Sequence, residues 1–92
     1  MLVRLTEVLT GLRGGPASLS EIYVNSSHIV SVAEDVRAME TLISETKRLG
    51  LVENTRFSKI VVTEGSRSRT LTVVGSPHEV YGKIKRKQIL RG

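Results

Sequence analysis

Leu19-Ser20-Glu21-Ile22-Tyr23-Val24-Asn25-Ser26-Ser27-His28-Ile29-Val30-Ser31-Val32-Ala33 is the stretch on which the fold turns. Two runs rich in β-branched and aromatic residues, 19–24 and 28–33, flank the turn signal Asn25-Ser26-Ser27, so both read as strands. A connection this short predicts that the two strands pair antiparallel. Upstream, residues 1–8 read as another strand, with Val3 and Leu5 on one pleat face and Arg4 and Thr6 on the other. Between them Gly11, Gly14, Gly15 and Pro16 mark an irregular connection. This glycine-rich stretch lacks the Gly-Lys-Ser/Thr ending of a phosphate-binding loop, so it reads as turn chemistry.

Downstream, Asp35 is placed to cap a helix over 36–49. On a 100° wheel Val36, Ala38, Met39, Leu42, Ile43, Thr46 and Leu49 share an arc of about 160°. That stripe is core or an oligomer interface, with Met39, Leu42 and Ile43 as the interface candidates. Arg37, Glu40, Thr41, Ser44, Lys47 and Arg48 hold the opposite arc. Lys47 and Arg48 suit the dipole at the helix end, and Gly50 supplies a stop.

Two further strands are expected over 57–64 and 69–74, joined by an exposed loop of Gly65-Ser66-Arg67-Ser68. Ser76-Pro77-His78-Glu79 then opens a second helix: a serine cap, proline at the first helical position, and a glutamate to close a capping box. Val80, Tyr81 and Ile84 share a face, whereas Ile89 and Leu90 fall off it, which makes that pair a candidate contact for a partner. The expected fold class is α+β: an antiparallel sheet of four or five strands with an inserted amphipathic helix and a C-terminal helix. All 92 residues form a single domain with a basic C-terminal helix or tail over 76–92.

The chain has no cysteine, which excludes disulfides and thiolate metal sites. Nothing in it is apolar for long enough to span a membrane, and the charged N-terminus lacks a signal-peptide core, so the expected location is cytoplasmic. Only 3 % of residues are aromatic, leaving Leu, Ile and Val to fill a small core that a homo-oligomer would enlarge. The two histidines, His28 and His78, lack metal-ligand spacing, and the acids are scattered apart from Glu34-Asp35. Ser26-Ser27-His28 brings hydroxyls near an imidazole only in sequence. No catalytic set, metal or cofactor is expected.

Charge is distributed unevenly. Residues 1–54 carry five Lys/Arg against seven Asp/Glu, and residues 55–92 carry nine against two. Lys83, Lys85, Arg86, Lys87 and Arg91 lie within nine residues that contain no acid, and the first four spread outside the Val80–Ile84 face. Cations left in solvent repel one another unless anions neutralise them, and each one that meets a phosphate releases counterions. Arg67 and Arg69 on the hairpin extend the same surface if it lies nearby. The expected partner is DNA or RNA, contacted through its backbone because Tyr23, Phe57 and Tyr81 are too few to stack bases, or else an acidic protein. The bland counterpart is a solvated helix end.

Ile22-Tyr23-Val24-Asn25, His28-Ile29-Val30-Ser31-Val32, Thr70-Leu71-Thr72-Val73 and Ser76-Pro77-His78-Glu79-Val80 together resemble the small flagellar FlbD-like proteins. The resemblance covers about a third of the chain. It implies a small non-enzymatic accessory or regulatory protein with a strand-turn-strand core, and assigns no catalytic residue. The helix expected over 36–49 and the basic C-terminal tail depart from that pattern. Two functions follow: a small regulatory protein that binds nucleic acid through its C-terminal surface, or a protein-interaction and assembly module.

Overall fold

The computed structural model describes residues 1–10, 16–52 and 54–91, and from residue 86 onward it describes the helix backbone alone. The turn glycines Gly11, Gly14 and Gly15, and the side chains of Arg86, Lys87, Ile89, Leu90 and Arg91, therefore lie outside the described residues. Five strands form one sheet: β1 (Leu2–Leu9), β2 (Ser18–Asn25), β3 (Ile29–Glu34), β4 (Phe57–Glu64) and β5 (Arg67–Val74). Their spatial order is β2-β1-β5-β4-β3, with every neighbouring pair antiparallel. Among the described residues two α-helices, α1 (Val36–Leu42) and α2 (Pro77–Arg91), complete an α+β fold.

The expected pairing of the two strands around Asn25 is overturned: β2 and β3 lie at opposite edges of the sheet. The link between them is a 3₁₀ turn over Ser26–His28, capped by Asn25, whose side chain accepts from the Ser27 amide and hydroxyl. It contains no glycine to take the positive φ of a tight hairpin, and the strands find longer mates elsewhere. β2 pairs with β1 over eight residues, from Leu2 opposite Asn25 to Leu9 opposite Ser18. This connection constrains the whole sheet. A flat five-stranded sheet would set its edges about 19 Å apart. The step from Asn25 to Ile29 spans at most about 14 Å extended, and less as a 3₁₀ turn. The sheet must therefore curl until its edges converge at that end.

Alternation along the strands divides the apolar residues between two faces. Val3, Leu5, Val24, Ile60, Val62, Leu71 and Val73 fill one, where Val80 of α2 packs against them. Val8 and Phe57 lie on the other, with Leu19 and Val74 half-buried beside them, under Ala17, Leu42 and the chain after α1. β3 contributes Ile29 and Val32 to the first face although they are three residues apart, because the register shifts between Ile29 and Ser31. That bulge turns Val30 outward.

The helix expected over 36–49 is shorter: α1 ends at Leu42, and residues 43–50 continue as turns. Asp35 caps α1 as expected, accepting from the Ala38 amide at 3.0 Å, and its second oxygen accepts from the Thr72 hydroxyl. The regular ladder gives way where hydroxyls compete for carbonyls. Thr41 bonds back to Arg37, Thr46 bonds to Ile43, and the Glu45 amide turns to the nearer Leu42 carbonyl. The turns close at Gly50, whose φ of 77° permits paired bonds from Gly50 to Lys47 and from Leu51 to Thr46. Because the segment bends, Val36 and Ile43 point into solvent rather than joining the stripe.

The β4–β5 loop is tighter than expected. Glu64 pairs with Arg67, so only Gly65 and Ser66 form the turn, with Gly65 at a φ of 64°. α2 starts with the expected capping box: the Glu79 amide donates to the Ser76 hydroxyl, and the Ser76 amide donates to the Glu79 carboxylate.

Candidate functional site

The first two turns of α2 decide which way its cations point. Val80 is 1 % exposed and Ile84 is half-buried against the same core. Lys83 and Lys85 are consequently exposed, and neither has a carboxylate within 4 Å among the described residues. The Lys85 ammonium lies 5.9 Å from the centroid of the Tyr81 ring one turn earlier, near the outer limit of a cation–π contact. Tyr81 does not bury with Val80; it stays 54 % exposed. The side chains of Arg86, Lys87 and Arg91 fall outside the described residues, so only part of the acid-free run can be placed.

On the hairpin Arg67 is exposed and has no carboxylate within 4 Å among the described residues. Arg69 is not similarly open: its Nε lies 3.1 Å from Glu64. Both partners are solvated, so the pair is weak, yet it halves the local positive charge of the hairpin. Strand parity sets Arg67 and Arg69 on the sheet face that carries Leu71, Val73 and α2.

The interface candidates separate. Leu42 is buried and Met39 half-buried in the chain's own second core, while Ile43 is 69 % exposed. Ile43 and Met39 border an open depression of about 390 Å³ with Thr46, Thr55, Arg56 and Phe57. Ile89 and Leu90 lie outside the described side chains.

A second, larger groove was not foreseen. About 500 Å³ opens between the edge strand β3 and α2, lined by Ile29, Val30, Val32, Pro77, Tyr81 and Ile84, with Ser26, Ser31 and His78 at its polar margin. Sequence reasoning placed β3 beside β2, which would have covered this edge. The bulge that exposes Val30 carries no signal in composition.

Arg48 also departs from expectation. Rather than standing at a helix end, it donates to the Ala17 carbonyl at 2.8 Å and pairs with Glu45, which accepts from the Ala17 amide. Both backbone groups of the buried Ala17 are thus held by side chains from the segment after α1. The hydrogen bond from Arg48 holds the Glu45 carboxyl below its ordinary range. The Ser76 amide and hydroxyl do the same for Glu79.

Among the described residues no three His, Cys, Asp or Glu side chains gather to hold a metal. The Ser27 hydroxyl donates to Asn25 at 2.8 Å, and His28 and His78 are both exposed. No described helix is long and apolar enough to cross a membrane. Compared with protein-family models, curated proteins and solved structures, the chain finds no match.

Proposed function

We propose that the chain is a small non-enzymatic regulatory protein that contacts nucleic-acid backbone through its basic C-terminal surface. One observation carries this: burial of Val80 beside Ile84 turns Lys83 and Lys85 to solvent with no carboxylate within 4 Å among the described residues. Arg86, Lys87 and Arg91 continue the same acid-free run in sequence, and Arg67 adds charge on the α2 side of the sheet. Arg69, paired with Glu64, contributes less. Point charges without aromatic platforms read phosphate and not base, since Phe57 is buried and only Tyr23 and Tyr81 are exposed among the three aromatics.

The test is binding to duplex DNA and to RNA at two salt concentrations. Lys83→Ala combined with Lys85→Ala should weaken binding on every sequence and lower the salt slope by about 2. Unchanged affinity and slope refute the assignment. Exposed Ile43 beside the depression at Met39 favours a second reading, a self-assembling module. That reading expects a defined oligomer whose sedimentation is indifferent to added nucleic acid and which Ile43→Asp dissociates.

A further inference from the structure

We infer that the groove between β3 and α2 receives an extended, acidic protein segment, which adds as a sixth strand to the free edge of β3. Among the described residues β3 is an edge strand paired only with β4. The Asp35 amide donates to the Phe57 carbonyl, so the two-residue alternation of an antiparallel ladder turns Ala33 and Ser31 toward β4. The backbone groups of Val32 and Glu34 then point outward, as an unfilled half-ladder. Such an edge is a template for another strand, and an alternating peptide inserts every second side chain to the same side.

The groove supplies what those side chains need. A strand beside β3 lies along α2, with its inward residues meeting Val30, Tyr81 and Ile84 over a volume of about 500 Å³. Val30 is 64 % exposed and Tyr81 54 %, so both have apolar surface to lose to a partner. Charge selects the occupant. No residue lining the groove carries a carboxylate, and the Lys85 ammonium stands 5.9 Å from the centroid of the Tyr81 ring at the rim. An apolar segment flanked by Asp or Glu fits; a basic one is repelled. This site shares Lys85 at its rim with the phosphate-binding surface proposed above, but its anchors are different, a strand edge and an apolar wall.

The probe is a fluorescein-labelled peptide of alternating valine and glutamate, titrated with the full chain and followed by anisotropy. Saturable binding is expected, weakened at least about tenfold by Val30→Glu and by Tyr81→Ala, which alter exposed positions. Methylating alternate backbone nitrogens of the peptide should abolish binding, and a valine–lysine peptide should not bind. Equal binding of the N-methylated or lysine peptide, or no saturable binding at all, overturns the inference. Duplex DNA serves as the last arm. If Val30→Glu leaves its affinity unchanged, the groove is distinct from the phosphate surface, as inferred. A matching loss makes the groove part of that surface and removes the peptide assignment.

Discussion

Val80→Ala tests whether one side chain sets the orientation of α2. Val80 is 1 % exposed and sits among Leu5, Ile60, Leu71 and Val73, while its neighbours Glu79 and Tyr81 face solvent. Deleting two buried methyl groups costs about 1.6 kcal/mol in transfer free energy. The cavity left where a rigid sheet meets a helix adds about 0.5–1 kcal/mol. The expected loss is therefore about 2–2.5 kcal/mol, a midpoint shift of about 2 M in urea for a slope near 1 kcal/mol per M. Urea titration by circular dichroism measures it, and amide exchange along α2 shows whether the helix opens with the sheet or before it. Lys83→Ala, at an exposed position of the same helix, should stay within about 0.5 kcal/mol of wild type. A Val80→Ala shift no larger than that control would falsify the docking of α2 by this residue, and with it the outward direction of Lys83 and Lys85.

Gly75 joins β5 to α2 at a φ of 118°, and an added Cβ would meet only Val80 and Glu79 at ordinary contact distances of 3.6 and 3.8 Å. Gly75→Ala should therefore cost about 1–3 kcal/mol from backbone strain alone, read by the same titration. Ser76→Ala removes the helix cap and should cost about 1 kcal/mol. Glu79 has its carboxyl lowered by the Ser76 amide and hydroxyl, so it stabilises the fold above the ordinary glutamate range. That contribution fades as pH falls from the ordinary value through the lowered one; Glu79→Gln should flatten the acid limb of a stability profile there and leave neutral pH as the region of difference. Arg48→Ala strips the Ala17 carbonyl of its side-chain donor and should cost about 1 kcal/mol, with faster amide exchange at Ala17, whereas Arg37→Ala on the exposed face of α1 should change neither.

Features written within a few residues were legible without coordinates. The Asp35 cap, the Ser76–Glu79 box and the alternation of Leu71 and Val73 depend on neighbours two or three positions away, whereas the helix expected to run on to Gly50 ends at Leu42. Local sequence therefore determined where most elements begin and which face of β1, β4 and β5 is apolar, and it located the basic run from Lys83 to Arg91. Choices of partner were not local. Whether β2 joins β3 or β1 depends on which register buries more surface along eight residues, and the three-residue 3₁₀ turn lacks the backbone freedom of a hairpin. Arg48 looked like a helix-end cation because its target, Ala17, is 31 positions away. The candidate site divides in the same way. Its charges were visible in the chain, but the groove exists only because the sheet curls, β3 becomes an edge, and α2 folds back beside it.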